Sequence, residues 1–117
     1  MSVPYIGTWV VNNNARPMRL QLIDRRTRGA FDLTTYEQAQ LLAVSKKDPA
    51  KTINLTMTIV LPPTLGVVEL VNFMDNLVVN ENQEIFEADI ELTDTTANPD
   101  AVITSDPFQF GIRKRRL

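Results

Sequence analysis

The sequence contains neither cysteine nor histidine. Without cysteine, disulfides and thiolate metal sites are excluded. Without histidine, the one side chain that titrates near neutrality in its unperturbed state, the usual base of nucleophilic catalysis is missing. Most hydrolase, transferase and zinc chemistries lose their working parts together. The chain is therefore read as a non-enzyme that uses no cofactor and no metal. Long apolar runs are also absent: nothing approaches the ~20 residues that cross a bilayer. The start Met1-Ser2-Val3-Pro4 lacks a basic-then-apolar leader. A soluble protein made in a cytoplasm, with no membrane partner, is the expectation.

The most telling shortage is of basic charge in one region. No lysine or arginine occurs from Thr52 to Ile112, where ten acidic residues fall, and the chain ends Arg113-Lys114-Arg115-Arg116. The first 51 residues hold eight basic and four acidic residues, so +4, −10 and +4 follow one another along the chain. Such polarity suits a building block that docks onto neighbours, because opposed patches fix orientation and register.

With 117 residues the chain is one domain, long enough to bury roughly two-thirds of its unfolded surface. Period-two alternation dominates it, the mark of half-buried strands. In Thr52 to Ile59, the residues Ile53, Leu55, Met57 and Ile59 share one face and Thr52, Asn54, Thr56 and Thr58 the other. Pro62-Pro63 follows, and neither residue can donate to a ladder. In Ile85 to Leu92, the inward set is Phe86, Ala88, Ile90 and Leu92, and the outward set is Glu87, Asp89 and Glu91. Further strands are expected at Met18 to Leu22, Gln38 to Val44, Gly66 to Val71 and Phe108 to Ile112. Tyr5 to Val11 reads as a strand or an arm. A helical spacing of Val71, Met74, Leu77 and Val78 marks one turn or a loop. Breaks fall at Arg28-Gly29, Asp48-Pro49, Pro62-Pro63 and Asn98-Pro99-Asp100. The expected class is all-β, an antiparallel sandwich of about seven to eight strands. Residues 1–14 form an arm or first strand, 15–112 the sandwich, and 113–117 a basic tail.

Candidate contact residues follow from this layout. Glu87, Asp89 and Glu91 repel one another unless something basic lies opposite, so their face is either a docking surface or a solvated sheet edge that resists aggregation. The tail Arg113, Lys114, Arg115 and Arg116 could pair with such a face, bind phosphate, or remain solvated. Arg25, Arg26 and Arg28 sit in an expected hairpin beside Gly29 and are either partner contacts or ordinary exposed charges. Trp9 is either a core residue or, on an arm hinged at Asn12-Asn13-Asn14, an anchor into a neighbour. Asp94, Asp100 and Asp106 lie near loops but lack the glycine-punctuated spacing of a calcium loop.

The order of elements is similar to the Ig-like N-terminal domain of phage upper baseplate proteins, which anchors receptor-binding proteins to a tail tip. Three stretches carry the resemblance. Phe31-Asp32-Leu33-Thr34 leads into Gln38 to Val44 and the basic turn Lys46-Lys47-Asp48. Phe86-Glu87-Ala88-Asp89-Ile90-Glu91-Leu92 has an aromatic, small, aliphatic rhythm. Ile103-Thr104-Ser105-Asp106-Pro107-Phe108-Gln109-Phe110-Gly111-Ile112-Arg113 resembles the family's final strand. The resemblance covers most of residues 16–113. It implies an Ig-like sandwich and a structural role in a tailed-phage virion, docked on tail, baseplate or neck and linking a fibre or neighbouring subunit. Its partners would be other virion proteins, and possibly copies of itself. A capsid decoration protein clamping the head shell is the alternative, and a small nucleic-acid-binding protein using the basic tail is a third reading.

Overall fold

A computed structural model of the chain describes residues 4–10, 17–70, 83–96 and 101–113, without the side chains of Trp9 and Val10. The fold is all-β. Its strands are β1 (Tyr5–Val10), β2 (Met18–Gln21), β3 (Gln38–Ser45), β4 (Thr52–Ile59), β5 (Val67–Leu70), β6 (Gln83–Asp94), β7 (Ala101–Thr104) and β8 (Phe108–Arg113). One 3-10 turn, Pro63–Leu65, separates β4 from β5 where the paired prolines stop the ladder. The spacing of Val71 to Val79 and the hinge Asn12 to Asn14 lie outside the described residues.

The strands form one curved mixed sheet, a half-barrel, in the order β1-β8-β6-β3-β4-β5-β2, with β7 beside β6. β6 is central. It pairs with β3 along Gln38–Thr93 to Ser45–Phe86, and its opposite edge is shared by β7 and β8. β4 pairs with β3 along most of its length and with β5 only at Thr58 and Ile59.

One expectation is corrected. The sheet is not wholly antiparallel, because β1 runs parallel to β8, Trp9 beside Ile112 and Val10 beside Arg113. A parallel pair needs a long connection, and nearly the whole chain lies between these two strands. Of the two readings for the N-terminal segment, Tyr5–Val10 is thus a strand of the sheet.

Alternation decides what is inside. Ile53 and Met57 are buried while Thr52, Asn54, Thr56 and Thr58 are exposed. Phe86, Ala88, Ile90 and Leu92 are buried, and meet Ala39, Leu41 and Ala43 of β3 in register. Phe86 stacks on Phe110 across the β6–β8 pair, with ring centroids 5.5 Å apart. Met18, Leu33, Val68 and Leu70 join the same buried cluster from the β2–β5 side.

Gly66 is where three segments cross. Its φ of 68° lies in the left-handed region, its carbonyl accepts from Leu22 N at 2.7 Å, and its N–H reaches Pro63 O at 3.2 Å. A Cβ there would lie 2.7 Å from Phe31 O and 2.9 Å from Leu22 O, both backbone atoms that cannot swing aside. Gly66→Ala should therefore cost about 3 kcal/mol, read as a lowered denaturant midpoint. Gly29→Ala, whose nearest neighbour is the Thr27 hydroxyl at 3.7 Å, should shift it little and serves as the control.

Candidate docking site

The segregated charge is partly consumed inside the fold. Arg19 of β2 pairs with its cross-strand partner Glu69 of β5 at 3.6 Å. Arg25 pairs with the Asp106 carboxylate. Lys51 Nζ donates to Glu84 Oε1 at 2.7 Å. In each case a cation from the first 51 residues meets an acid from the middle of the chain. The Arg25 pair is exposed and the Arg19 pair partly so, and both contribute little to stability.

The third pair is different in kind. Glu84 lies two residues before Phe86, in phase with the inward set, and is 8% exposed. Ser45, equally in phase with Ala39, Leu41 and Ala43, is buried beside it and donates its hydroxyl to Glu84 Oε2 at 2.6 Å. The same hydroxyl oxygen accepts from Lys47 N and Asp48 N, which shapes the β3–β4 turn. Burial pushes the Glu84 carboxyl up, but hydrogen bonds from Lys51 and Ser45 and the charges of Lys51 and Lys47 outweigh it, so the group ionises more readily than an ordinary glutamate. Lys51 also stands 5.9 Å from the centre of the Phe86 ring. This cluster stitches the turn to the core and is structural.

The three outward carboxylates of β6 have no such partners. Glu87, Asp89 and Glu91 are half-buried on the outer face. Their register neighbours are Val44 and Gln109 for Glu87, Leu42 for Asp89, and Gln40 and Thr104 for Glu91. None of these is basic, and among the described residues no ion pair reaches the three acids. Partial burial pushes the Asp89 carboxyl up, and the neighbouring Glu91 charge reinforces the shift. The acids repeat at every second residue, roughly 7 Å apart along the strand. Beside them lie Gln40, Leu42 and Val44 of β3, then Thr52, Asn54 and Thr56 of β4 in register beyond, with Lys46 bonded to Ile85 and Arg113 opposite Gln83 past the Glu87 end of the line. The result is an outer face of the curved sheet with one line of carboxylates that no ion pair reaches among the described residues. β6 is paired on both sides, so the reading of this face as a sheet edge that resists aggregation is corrected.

The other candidate residues lie elsewhere. Arg25, Arg26 and Arg28 sit on the expected hairpin, closed by the Ile23–Ala30 bridge, with Arg28 itself in the left-handed region at φ 60°. Arg26 pairs with Asp24 at 3.7 Å, and the hairpin meets the β7–β8 link through Arg25 rather than the acidic line. Arg113 is exposed at the end of β8, in register with Gln83, while Lys114, Arg115 and Arg116 lie outside the described residues. Trp9 has its backbone in β1, and its side chain lies outside the description. Asp94 caps a turn through Thr96, and Asp106 is engaged by Arg25. Asp100 lies outside the described residues, among which no acidic cluster is placed to hold a metal ion.

No protein-family description, curated protein or solved structure matches this chain.

Two pH-dependent outcomes follow. Lys51→Met leaves the Glu84 carboxylate in the core without its main cation and should cost about 2–3 kcal/mol at pH 7 by chemical denaturation. Because the folded-state pKa of Glu84 is lowered, the pair stabilises above the ordinary glutamate range and its contribution is lost as pH falls through the folded value. The gap between wild type and Lys51→Met should therefore narrow in acid. Asp89 has the opposite sign. Its raised folded-state pKa means the ionised form is penalised at neutrality, so Asp89→Asn should raise the melting temperature at pH 7. That gain should shrink as pH falls through the raised value, and thermal melts across the acid range check it.

Proposed function

We propose that this chain is a non-enzymatic structural protein of a tailed-phage virion, which docks on the tail, baseplate or neck and links a fibre or neighbouring subunit. The observation that carries the docking part is the acidic line of β6. Three carboxylates are held on a central strand, half-buried, mutually repelling and without a cation in the described fold. Residues kept at a cost to stability are the ones a functional contact accounts for. A partner that lays basic side chains at two-residue spacing along this outer face would neutralise all three. The terminal run Arg113-Lys114-Arg115-Arg116 of another copy has that composition, as would a basic strand of a different virion protein.

The phage assignment is supported by the three stretches that resemble upper baseplate N-terminal domains. The Ig-like reading of the fold is supported by the single buried cluster in which Met18, Val68 and Leu70 of β2 and β5 join Phe86 and Phe110 of β6 and β8. An experimentally determined structure in which β2 and β5 stack face to face on β6 and β8 would fit it, and a sheet that stays open would not. A nucleic-acid role is disfavoured by the same acidic line, which repels phosphate.

Salt dependence tests the docking reading. Sedimentation velocity at low ionic strength should show association, with itself or with an added basic tail-tip protein, that is lost at moderate salt. Monomer throughout, indifferent to salt and partner, would contradict it.

A further inference from the structure

Gly111 of β8 is in phase with Gln109 and Arg113 on the outer face of the sheet, yet it is buried. Three side chains cover it. Tyr5 and Thr8 of β1 share a hydrogen bond between their hydroxyls. Gln83 of β6 donates its Nε2 to Tyr5 Oη at 3.1 Å and to Thr8 Oγ1 at 3.4 Å. A Cβ at Gly111 would stand 2.5 Å from the Tyr5 hydroxyl and 2.9 Å from Gln83 Nε2, so any side chain there evicts this clasp.

The β1 backbone is fitted to the same spot. Its register runs Tyr5–Gln109 and then Thr8–Gly111, so β1 spends one residue more than β8 across this step. Gly7 absorbs the extra residue at φ 144°, a value that a residue with a side chain rarely adopts. The order Tyr5-Ile6-Gly7-Thr8 is therefore what the seat on β8 selects.

Clasp and ladder, more than the core, hold β1 in place. Among the described strands it pairs with β8 alone. None of its described side chains is fully buried: Tyr5 is 47% exposed, and Ile6 and Thr8 are half-buried. The inward side of β8 is filled from within the fold, with Phe110 stacked on Phe86. What β1 adds is a set of contacts that the same segment of any copy supplies.

We infer that the β8 edge beside Gly111 is an exchange seat, which in an assembly accepts β1 of a second copy in place of its own. Home and exchanged strands make identical contacts, so the swap costs little and concentration decides the occupant. A strand tethered by a short segment competes at an effective concentration on the order of mM. Dilute protein does not rival that, and a close-packed assembly does. The seven residues between Val10 and Met18 reach at most roughly 27 Å, so exchanging neighbours bring one copy's β8 within that distance of the other's β2. Residues 2–11 carry no charged side chain, so the seat is independent of the acidic line and its failure leaves the docking reading standing.

The test titrates a fluorescein-labelled peptide of residues 2–11 against the full chain by fluorescence anisotropy, in about 0.5 M salt to screen the acidic line. Peptide and home strand compete for one seat, so Tyr5→Phe acts with opposite sign in the two. In the peptide it should weaken binding about five-fold, and in the chain it should tighten peptide binding about five-fold. Exchange between copies is read with cysteines, which the chain otherwise lacks, at the register partners Val10 and Arg113. Val10→Cys and Arg113→Cys chains, mixed at about 1 mM each in a thiol redox buffer, should form the mixed disulfide in excess over both homodisulfides together. No binding at millimolar peptide, the same sign of Tyr5→Phe in peptide and chain, or homodisulfides that match the mixed product would each overturn the proposal.

Discussion

The period of two along β6 is the constraint from which both faces of this protein follow. Because β6 is paired on both sides, its even-numbered residues from Glu84 to Leu92 must face the core and its odd-numbered residues must face out. A one-residue slip would put Glu87, Asp89 and Glu91 into the apolar interior, so the strand's register is fixed by burial. The same parity carries Glu84 inward, where it is tolerated only because Lys51 and Ser45 satisfy it. Core, turn and outer face are thereby tied to one strand.

The uneven distribution of charge acquires a two-part meaning. Arg19, Arg25 and Lys51 meet Glu69, Asp106 and Glu84 within the fold, which accounts for part of the polarity between the first 51 residues and the middle of the chain. Glu87, Asp89 and Glu91 on β6 remain without an ion pair among the described residues. These carboxylates are too close to ignore one another and too buried to be fully screened, as the raised Asp89 carboxyl shows. A surface of that kind is stable enough to persist on a well-packed strand and is relieved by a cation from outside.

Much of this was legible from residue spacing. The alternating runs at Thr52 to Ile59 and Ile85 to Leu92 place the correct side chains inside, and the hairpin beside Gly29 forms where turn chemistry puts it. Three things were not legible. β7 has only four residues between two proline-containing breaks, too few to show a period. The parallel β1–β8 pair depends on strands at opposite ends of the chain, which local pattern does not report. The Lys51–Glu84–Ser45 cluster was hidden because the strand was expected to start at Ile85; continuing the inward parity back by one step would have flagged a buried carboxylate and demanded a partner.

On the proposed function, the β6 acids are retained for contact and not for folding. The most direct measurement takes Glu87→Gln/Asp89→Asn/Glu91→Gln and determines thermal stability and low-salt association on the same sample. The expected result is a melting temperature at or above that of the wild type together with loss of association. A variant that melts lower, or that still associates as the wild type does, would contradict it.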